Sequence, residues 1–419
     1  MATENIETKN GPVTHCRLCK SSSLWQFLDL GFHPPSDRFR TKEEMETPEV
    51  YYPLRVLLCE QCGFIQLGYV VAPEELYWEN YPYESSTTKM LKEHFFEMAR
   101  SICRDHTIPK GSLVIDIGSN VGTLLSGFKA EGMNVFGIDP VEKMVLVANA
   151  NGIDSMTAFF GSSVVPDVLQ RKGHATVITG TNVVMHINDL DDCMRAISDL
   201  LTPDGMFVFE APYVVDLLRN FEYDTIYHEH LGYASVKPFI PFFKKFGMEL
   251  FDVKRVLIHG GSIRVFVGRE GARQVSQNVI GLLELEEKEG VYQKQRLSQF
   301  AADVRAQKQE LMSLLHDLKK QGKRIVCVSA PAKGATLLNY CKIDRDLVDY
   351  LTEKAEVKMG LHAPGTHHYV YGDVKLLEDQ PDYALILAWN FAPEIIKNLE
   401  EYRKRGGKFI IPIPKPRIV

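Results

Sequence analysis

Leu113-Val-Ile-Asp-Ile-Gly-Ser-Asn-Val-Gly122 is the stretch on which the fold turns. Its first five residues form a nearly continuous apolar run, as expected of a strand buried on both faces of a parallel sheet. Gly118 lets the backbone turn sharply at the strand end, and Gly122 lets the next helix begin close to a ligand. The following strand, 135–138, runs into Gly137-Ile-Asp139, where an acidic side chain can accept both hydroxyls of a ribose. A dinucleotide fold favours G-x-G-x-x-G. The spacing here is D-x-G-x-x-x-G, the form that suits S-adenosylmethionine (SAM), which has no pyrophosphate to cradle. The carboxylate of Asp116 would also sit awkwardly beside a phosphate. A ligand-free turn and an NAD site are the competing readings.

Outward from this loop, 176–179 and 206–210 read as further parallel strands, with helices as crossovers between them. Asn182 follows the fourth strand, where ligands of such sheets gather, and His186 lies just beyond it. Alone, a histidine there is more often structural. A helix is predicted over 87–103. A second α/β unit starts at Arg324, with strands at Ile325–Val328, 347–351, 383–387 and Lys408–Ile411. Its first strand leads through Ser329-Ala-Pro-Ala-Lys-Gly334 into a helix. Backbone N–H groups at that helix start, with Lys333, make either a phosphate site or a plain turn. Arg264, in His259-Gly-Gly-Ser-Ile-Arg264, either clamps a phosphate or stabilises a strand edge. Between the units, 272–322 is charged and helical in period. A solvated amphipathic linker, one broken helix or two long ones, is the expectation.

Ahead of the loop, Cys16-x-x-Cys19 and Cys59-x-x-Cys62 supply the two thiolate pairs of a tetrahedral structural zinc. Disulfides are the other reading. The remaining cysteines, Cys103, Cys193, Cys327 and Cys341, lie scattered in apolar contexts, which suggests free thiols in a reducing cytoplasm. A module this small buries little core alone, so the metal would offset its chain entropy. An aromatic connector follows: Tyr77, Trp78, Tyr81, Tyr83.

With 419 residues the chain has room for two or three domains, and its net charge of −6 gives no general reason to bind nucleic acid. No apolar stretch reaches the roughly 18–20 residues of a membrane helix. A cytoplasmic protein, monomeric or weakly dimeric, is expected.

The densest chemistry is Tyr223-Asp-Thr-Ile-Tyr-His-Glu-His230. His228 and His230 lack the H-E-x-x-H spacing of zinc hydrolases. General base work by a histidine, oriented by a glutamate and helped by a tyrosine hydroxyl, is the better reading. A buried polar network at a domain seam is the bland one.

These blocks, with Tyr81-Pro-Tyr-Glu-Ser-Ser86, Glu210-Ala-Pro-Tyr213, Ala330-Pro-Ala-Lys-Gly-Ala-Thr-Leu-Leu-Asn-Tyr340 and Pro364-Gly-Thr-His367, resemble the zinc-containing sugar C-methyltransferases of deoxysugar biosynthesis. The resemblance spans nearly the whole chain. It departs at Thr181-Asn182-Val183, where the family more often has Asn-Asn-Val. It implies an α/β protein of three parts: a zinc-binding domain at 14–76, a Rossmann-like class I SAM methyltransferase domain at 77–271, and a Rossmann-like nucleotide-sugar-binding domain with its helical linker at 272–419. It implies methylation of C3 of an NDP-4-keto-6-deoxyhexose, dTDP- or GDP-linked. His230 would be the base, with Glu229, Tyr227, His186 and Tyr81 around the sugar. Asp116, Gly118, Gly122, Asp139, Asn182 and Ser86 would hold SAM, and Tyr83, Arg264, Lys333 and His367 the substrate. O- or N-methylation of a small metabolite is the alternative activity, and a zinc-stapled scaffold with a degenerate methyltransferase fold the alternative class.

Overall fold

The structure, a computed structural model, describes residues 10–77, 89–258 and 260–419. Tyr81, Tyr83, Ser86 and His259 lie outside the described residues. The N-terminal module is an antiparallel sheet of β1 (Leu24–His33), β2 (Tyr52–Cys59) and β3 (Ile65–Leu67). Residues 232–233 of the central unit add its fourth strand, beside β3.

Helix α1 (Lys89–Asp105) leads into the central sheet. Its strands are β4 (Leu113–Ile117), β5 (Asn134–Asp139), β6 (Ser155–Thr157), β7 (Ala175–Thr181), β8 (Leu201–Pro212), β9 (Met248–Val256) and β10 (Ser262–Arg269). The spatial order is β9-β10-β8-β7-β4-β5-β6. Strands β4 to β8 run parallel, and β10 is antiparallel to both β8 and β9. Helix α2 (Thr123–Ala130) begins at Gly122 and packs on α1. The chain order reverses between β4 and β7. Side chains at the carboxyl ends of those two strands therefore flank an open crevice.

Helices α3 (Gln277–Lys288) and α4 (Lys294–Lys320) follow, broken at Gly290 with φ +66°. They are not a solvated linker. Leu297, Phe300, Val304, Leu311 and Leu315 recur at helical spacing along α4 and are fully buried. The helix packs against β1, and Gln307 accepts the buried hydroxyl of Tyr223 at 2.6 Å. The charge of this segment is real, but it occupies the opposite face.

The C-terminal sheet has β11 (Ile325–Val328), β12 (Leu351–Glu353), β13 (Val370–Gly372), β14 (Tyr383–Ile386), β15 (Lys408–Ile411) and β16 (Arg417–Ile418), in the order β13-β12-β11-β14-β15-β16. All but β16 are parallel. The order reverses between β11 and β14, and α5 (Ala332–Cys341) starts beyond β11. The strand expected at 347–351 is displaced to β12, because the N–H groups of Leu347 and Val348 turn back to Asp344 O at 3.2 and 3.0 Å. Among the described residues no helix is long and apolar enough to cross a membrane.

Glu286 of α3 ties the helical pair to the central unit. Its buried carboxylate accepts the N–H groups of Val236 and Lys237 at 2.6 and 3.2 Å, the Tyr213 hydroxyl at 3.1 Å and the Tyr292 hydroxyl. Glu286→Ala leaves those donors without their acceptor, and an unsatisfied buried group costs about 1–3 kcal/mol. A loss of roughly 3 kcal/mol is expected in urea denaturation. A change below about 0.5 kcal/mol, the ordinary surface value, would refute the anchoring role.

Candidate active site

At the end of β4, Gly118 turns the chain with φ +65°, and a Cβ there would stand 2.8 Å from Val183 Cγ2. Only glycine meets both conditions. Asp116 is buried and accepts the Thr179 hydroxyl at 2.7 Å; burial, resisted by that hydrogen bond, raises its carboxyl to about 7. Asp139 accepts the N–H groups of Asn120 and Val141 at 2.8 and 2.9 Å, so it orders the loop as well as facing the crevice. Asn182 is held left-handed at φ +56°, its N–H on Glu210 O at 2.9 Å. Its buried Oδ1 has no protein partner among the described residues. Ala158, Phe159 and Phe160, just after β6, complete this end.

The histidine cluster stands next to it. The rings of His186 and His230 are 5.0 Å apart, and Tyr227 lies on His230 at 4.0 Å. His230 Nδ1 sits 2.7 Å from Thr225 O. A carbonyl only accepts, so Nδ1 carries the proton and Nε2 is the basic nitrogen. The Tyr77 hydroxyl lies 2.9 Å from His186 Nδ1. Burial, and then the neighbouring His230, hold His186 well below the usual histidine range, so it is neutral. Glu229 is buried too; desolvation, then the charge of Asp37, raise it to about 8, with Lys358 opposing. His228 does not converge with His230. It packs edge-on against Tyr52 of the N-terminal module, ring centroids 5.9 Å apart, and burial lowers it to about 4.

The third wall comes from the C-terminal unit. Lys333, in the first turn of α5, donates to Asn390 Oδ1 and lies 4.4 Å from the centre of the Trp389 ring. Lys358 donates to Asp37 at 3.0 Å and to Ala330 O at 2.8 Å, joining the N- and C-terminal units at the cavity edge. One cavity of about 870 Å³ touches all three walls, including Asp116, Gly118, Asp139, Asn182, His186, Tyr227, His230 and Lys333. That is within the usual range of about 300–1,000 Å³ for small-molecule sites.

Two expected substrate residues lie elsewhere. Arg264 is opposite Glu210 in the β8–β10 register and donates to its buried carboxylate at 2.6 Å, so its charge is already matched inside the fold. His367 pairs with Glu49 at 2.7 Å, away from the cavity lining. Conversely, Tyr77, Asp37 and Lys358 line the cavity without a motif to announce them. Only the aromatic run that begins at Tyr77 was a signal.

Known proteins match this arrangement in all three parts. Residues 257–414 fit the model of the C-methyltransferase C-terminal domain, 93–253 that of a methyltransferase domain, and 16–77 that described as "Putative zinc binding domain". The sequence is 31% identical over 409 residues to C-methyltransferase NovU of Streptomyces niveus, covering 97% of each chain. The chain belongs to this C-methyltransferase family. A ubiquinone biosynthesis O-methyltransferase of Bordetella avium is 28% identical over 104 residues, 24% of this chain and 43% of its own. Magnesium protoporphyrin IX methyltransferase from Synechocystis, solved with bound SAH, overlays 45% of this chain and 90% of its own at TM-score 0.35 and 17% identity. The protein is a SAM-dependent methyltransferase.

The cysteines of this methyltransferase fit zinc. None is in a disulfide, and all four Sγ atoms lie within 4.8 Å of one another. The contacts Cys16–Cys62 and Cys19–Cys59 are 3.6 and 3.5 Å. A tetrahedral zinc with Zn–S near 2.3 Å has S–S edges of about 3.8 Å. Each pair is shaped by a turn, Lys20 N to Cys16 O at 3.0 Å and Gly63 N to Cys59 O at 2.9 Å. Four thiolates leave no open coordination position, so the metal is structural. Chelation is expected to lower the melting temperature and weaken substrate binding in proportion to zinc lost. Full stability at zero zinc, by metal analysis and calorimetry, would contradict this.

Glu229 gives the methyltransferase a signed pH dependence. Folded, the carboxyl keeps its proton up to about 8. Unfolded, it titrates near 4.3, so between about 4.3 and 8 the native state holds the extra proton and stability falls as pH rises. Glu229→Gln is expected to gain stability over wild type at about pH 8 and to lose that advantage at about pH 4. Urea titrations at both pH values check it; a constant difference would refute a buried neutral acid.

Proposed function

We propose that the enzyme methylates C3 of a nucleotide-activated 4-keto-6-deoxy sugar through an enolate formed by His230. The observation that carries this reading is the single cavity in which the donor loop, the basic Nε2 of His230 and Lys333 meet. Methylating carbon needs a carbanion equivalent, and a C4 ketone acidifies the C3 proton. His230 Nε2 takes that proton, and the C–H electron pair moves into the C3–C4 bond while charge develops on the C4 oxygen. With the Tyr77 hydroxyl donating to Nδ1, His186 keeps its proton on Nε2 and is a neutral donor for that oxygen. The Tyr227 hydroxyl is a second donor. SAM supplies the electrophilic methyl group. As C3 attacks, the sulfonium–methyl bond breaks and leaves a neutral thioether, and the proton on His230 passes to solvent. Most of the rate comes from positioning and charge stabilisation in a desolvated site.

In this reading Asp116, Gly118, Gly122, Asp139 and Asn182 hold SAM, with Asp139 toward the ribose. Lys333 and the first turn of α5 take the diphosphate, in the crevice between β11 and β14. Residues 14–76, 77–271 and 272–419 then divide as zinc-binding, methyl-transferring and nucleotide-sugar-binding parts.

Incubation with dTDP- or GDP-4-keto-6-deoxyhexoses in D₂O, without SAM, is expected to exchange the C3 proton, read by mass spectrometry. O- or N-methylation requires no carbon acid and gives no exchange, so its absence across the panel sinks the enolate reading. His230→Asn is expected to abolish both exchange and turnover, by at least the 10²-fold typical of a lost general base, while SAM binding by calorimetry stays near wild type.

A further inference from the structure

We propose that Arg17, between the first two zinc cysteines, is a positioning residue that sets the His186 loop. Its side chain is buried between the N-terminal module and the central unit. Nη1 donates to Asn188 O at 2.7 Å and to Asn188 Oδ1 at 2.8 Å, and Nη2 donates to the same Oδ1 at 2.9 Å. A buried guanidinium is costly unless matched, and although its Nε has no hydrogen-bond partner among the described residues, both Nη atoms grip one residue. That residue is part of the cavity wall: His186, Ile187, Asn188 and Asp189 all line it. The other end of the grip is equally fixed. The Arg17 N–H donates to the buried Gln66 side chain at 2.9 Å, and the flanking Cys16 and Cys19 are metal ligands by geometry. Lys20 adds an ion pair to Asp191 at 3.2 Å, and Lys245 donates to Leu18 O. The metal site thus reaches His186 through two side chains, and its order is transmitted to the cavity wall.

This deepens the proposed function, since it takes the His186 loop to be part of the reacting site. Arg17→Lys keeps the charge and loses the fork; Asn188→Ala removes the acceptor without touching the zinc turn. Each is expected to keep one zinc per chain and to lower kcat about tenfold or more on a dTDP-4-keto-6-deoxyhexose, with a smaller change in KM. The double variant is expected to be no slower than the worse single one. In ¹⁵N-histidine NMR the His186 ring signals should shift in both. Wild-type kcat with unmoved His186 signals in Asn188→Ala overturns the proposal, whether or not Arg17→Lys retains zinc. Purely additive losses overturn it as well. Shifted His186 signals with unchanged kcat support the positioning and instead defeat the catalytic reading of His186.

Discussion

Parallel sheets covered by crossover helices on both faces leave only their strand ends for chemistry. Two such sheets in one chain must therefore face each other end to end if a ligand is to touch both. Here the switch between β4 and β7 supplies the glycine loop and Asn182, and the switch between β11 and β14 supplies Lys333 and Asn390, to one cavity. Nothing in either sheet holds that arrangement alone. The buried stripe of α4, the Lys358–Asp37 pair and the bonds of Thr336 to Ile226 O and Trp389 to Asp224 join the parts. The site is thus a property of how the three parts dock as much as of any one of them.

Burial also decides the charge state of the cavity. Desolvation raises Asp116 to about 7 and keeps His186 neutral, and it raises Glu229, next to His230 in sequence but not in the lining, to about 8. Lys333 is lowered by burial, with Asp224 and Glu222 opposing. Burial thus shifts Asp116 and His186 toward their neutral forms. Low local dielectric strengthens each remaining hydrogen bond, including the one that sets the His230 tautomer.

The parts of this picture legible in the sequence are those written in local pattern. Leu113–Ile117, Ile325–Val328 and Lys408–Ile411 are short, largely apolar runs, and their strands span the residues read from the sequence. Strand β9 was hidden because Glu249, Asp252, Lys254 and Arg255 interrupt its apolar residues. Arg264 resembled an anion clamp from its neighbours in sequence, but the register sets it opposite Glu210, a partner that no spacing reveals. His367 is taken by Glu49 across the seam for the same reason. Asp37 and Lys358 reach the cavity only through tertiary docking, so their identities alone carried no signal.

The zinc module looks peripheral by its chemistry and is not so by its hydrogen bonds. Its sheet is completed by Gly232 and Tyr233, paired with Gln66 and Ile65, two and three residues after His230. Leu67 N donates to Leu231 O at 3.0 Å, and Leu231 N in turn donates to Met185 O at 2.9 Å, the residue before His186. Gln66 meanwhile holds the Arg17 N–H. Both histidines of the cluster are therefore stitched, through Leu231 and Met185, to β3 of a small sheet whose chain entropy the metal would offset. A metal with no open coordination position still bears on the cavity when the strand it orders is bonded to the residues beside His186 and His230.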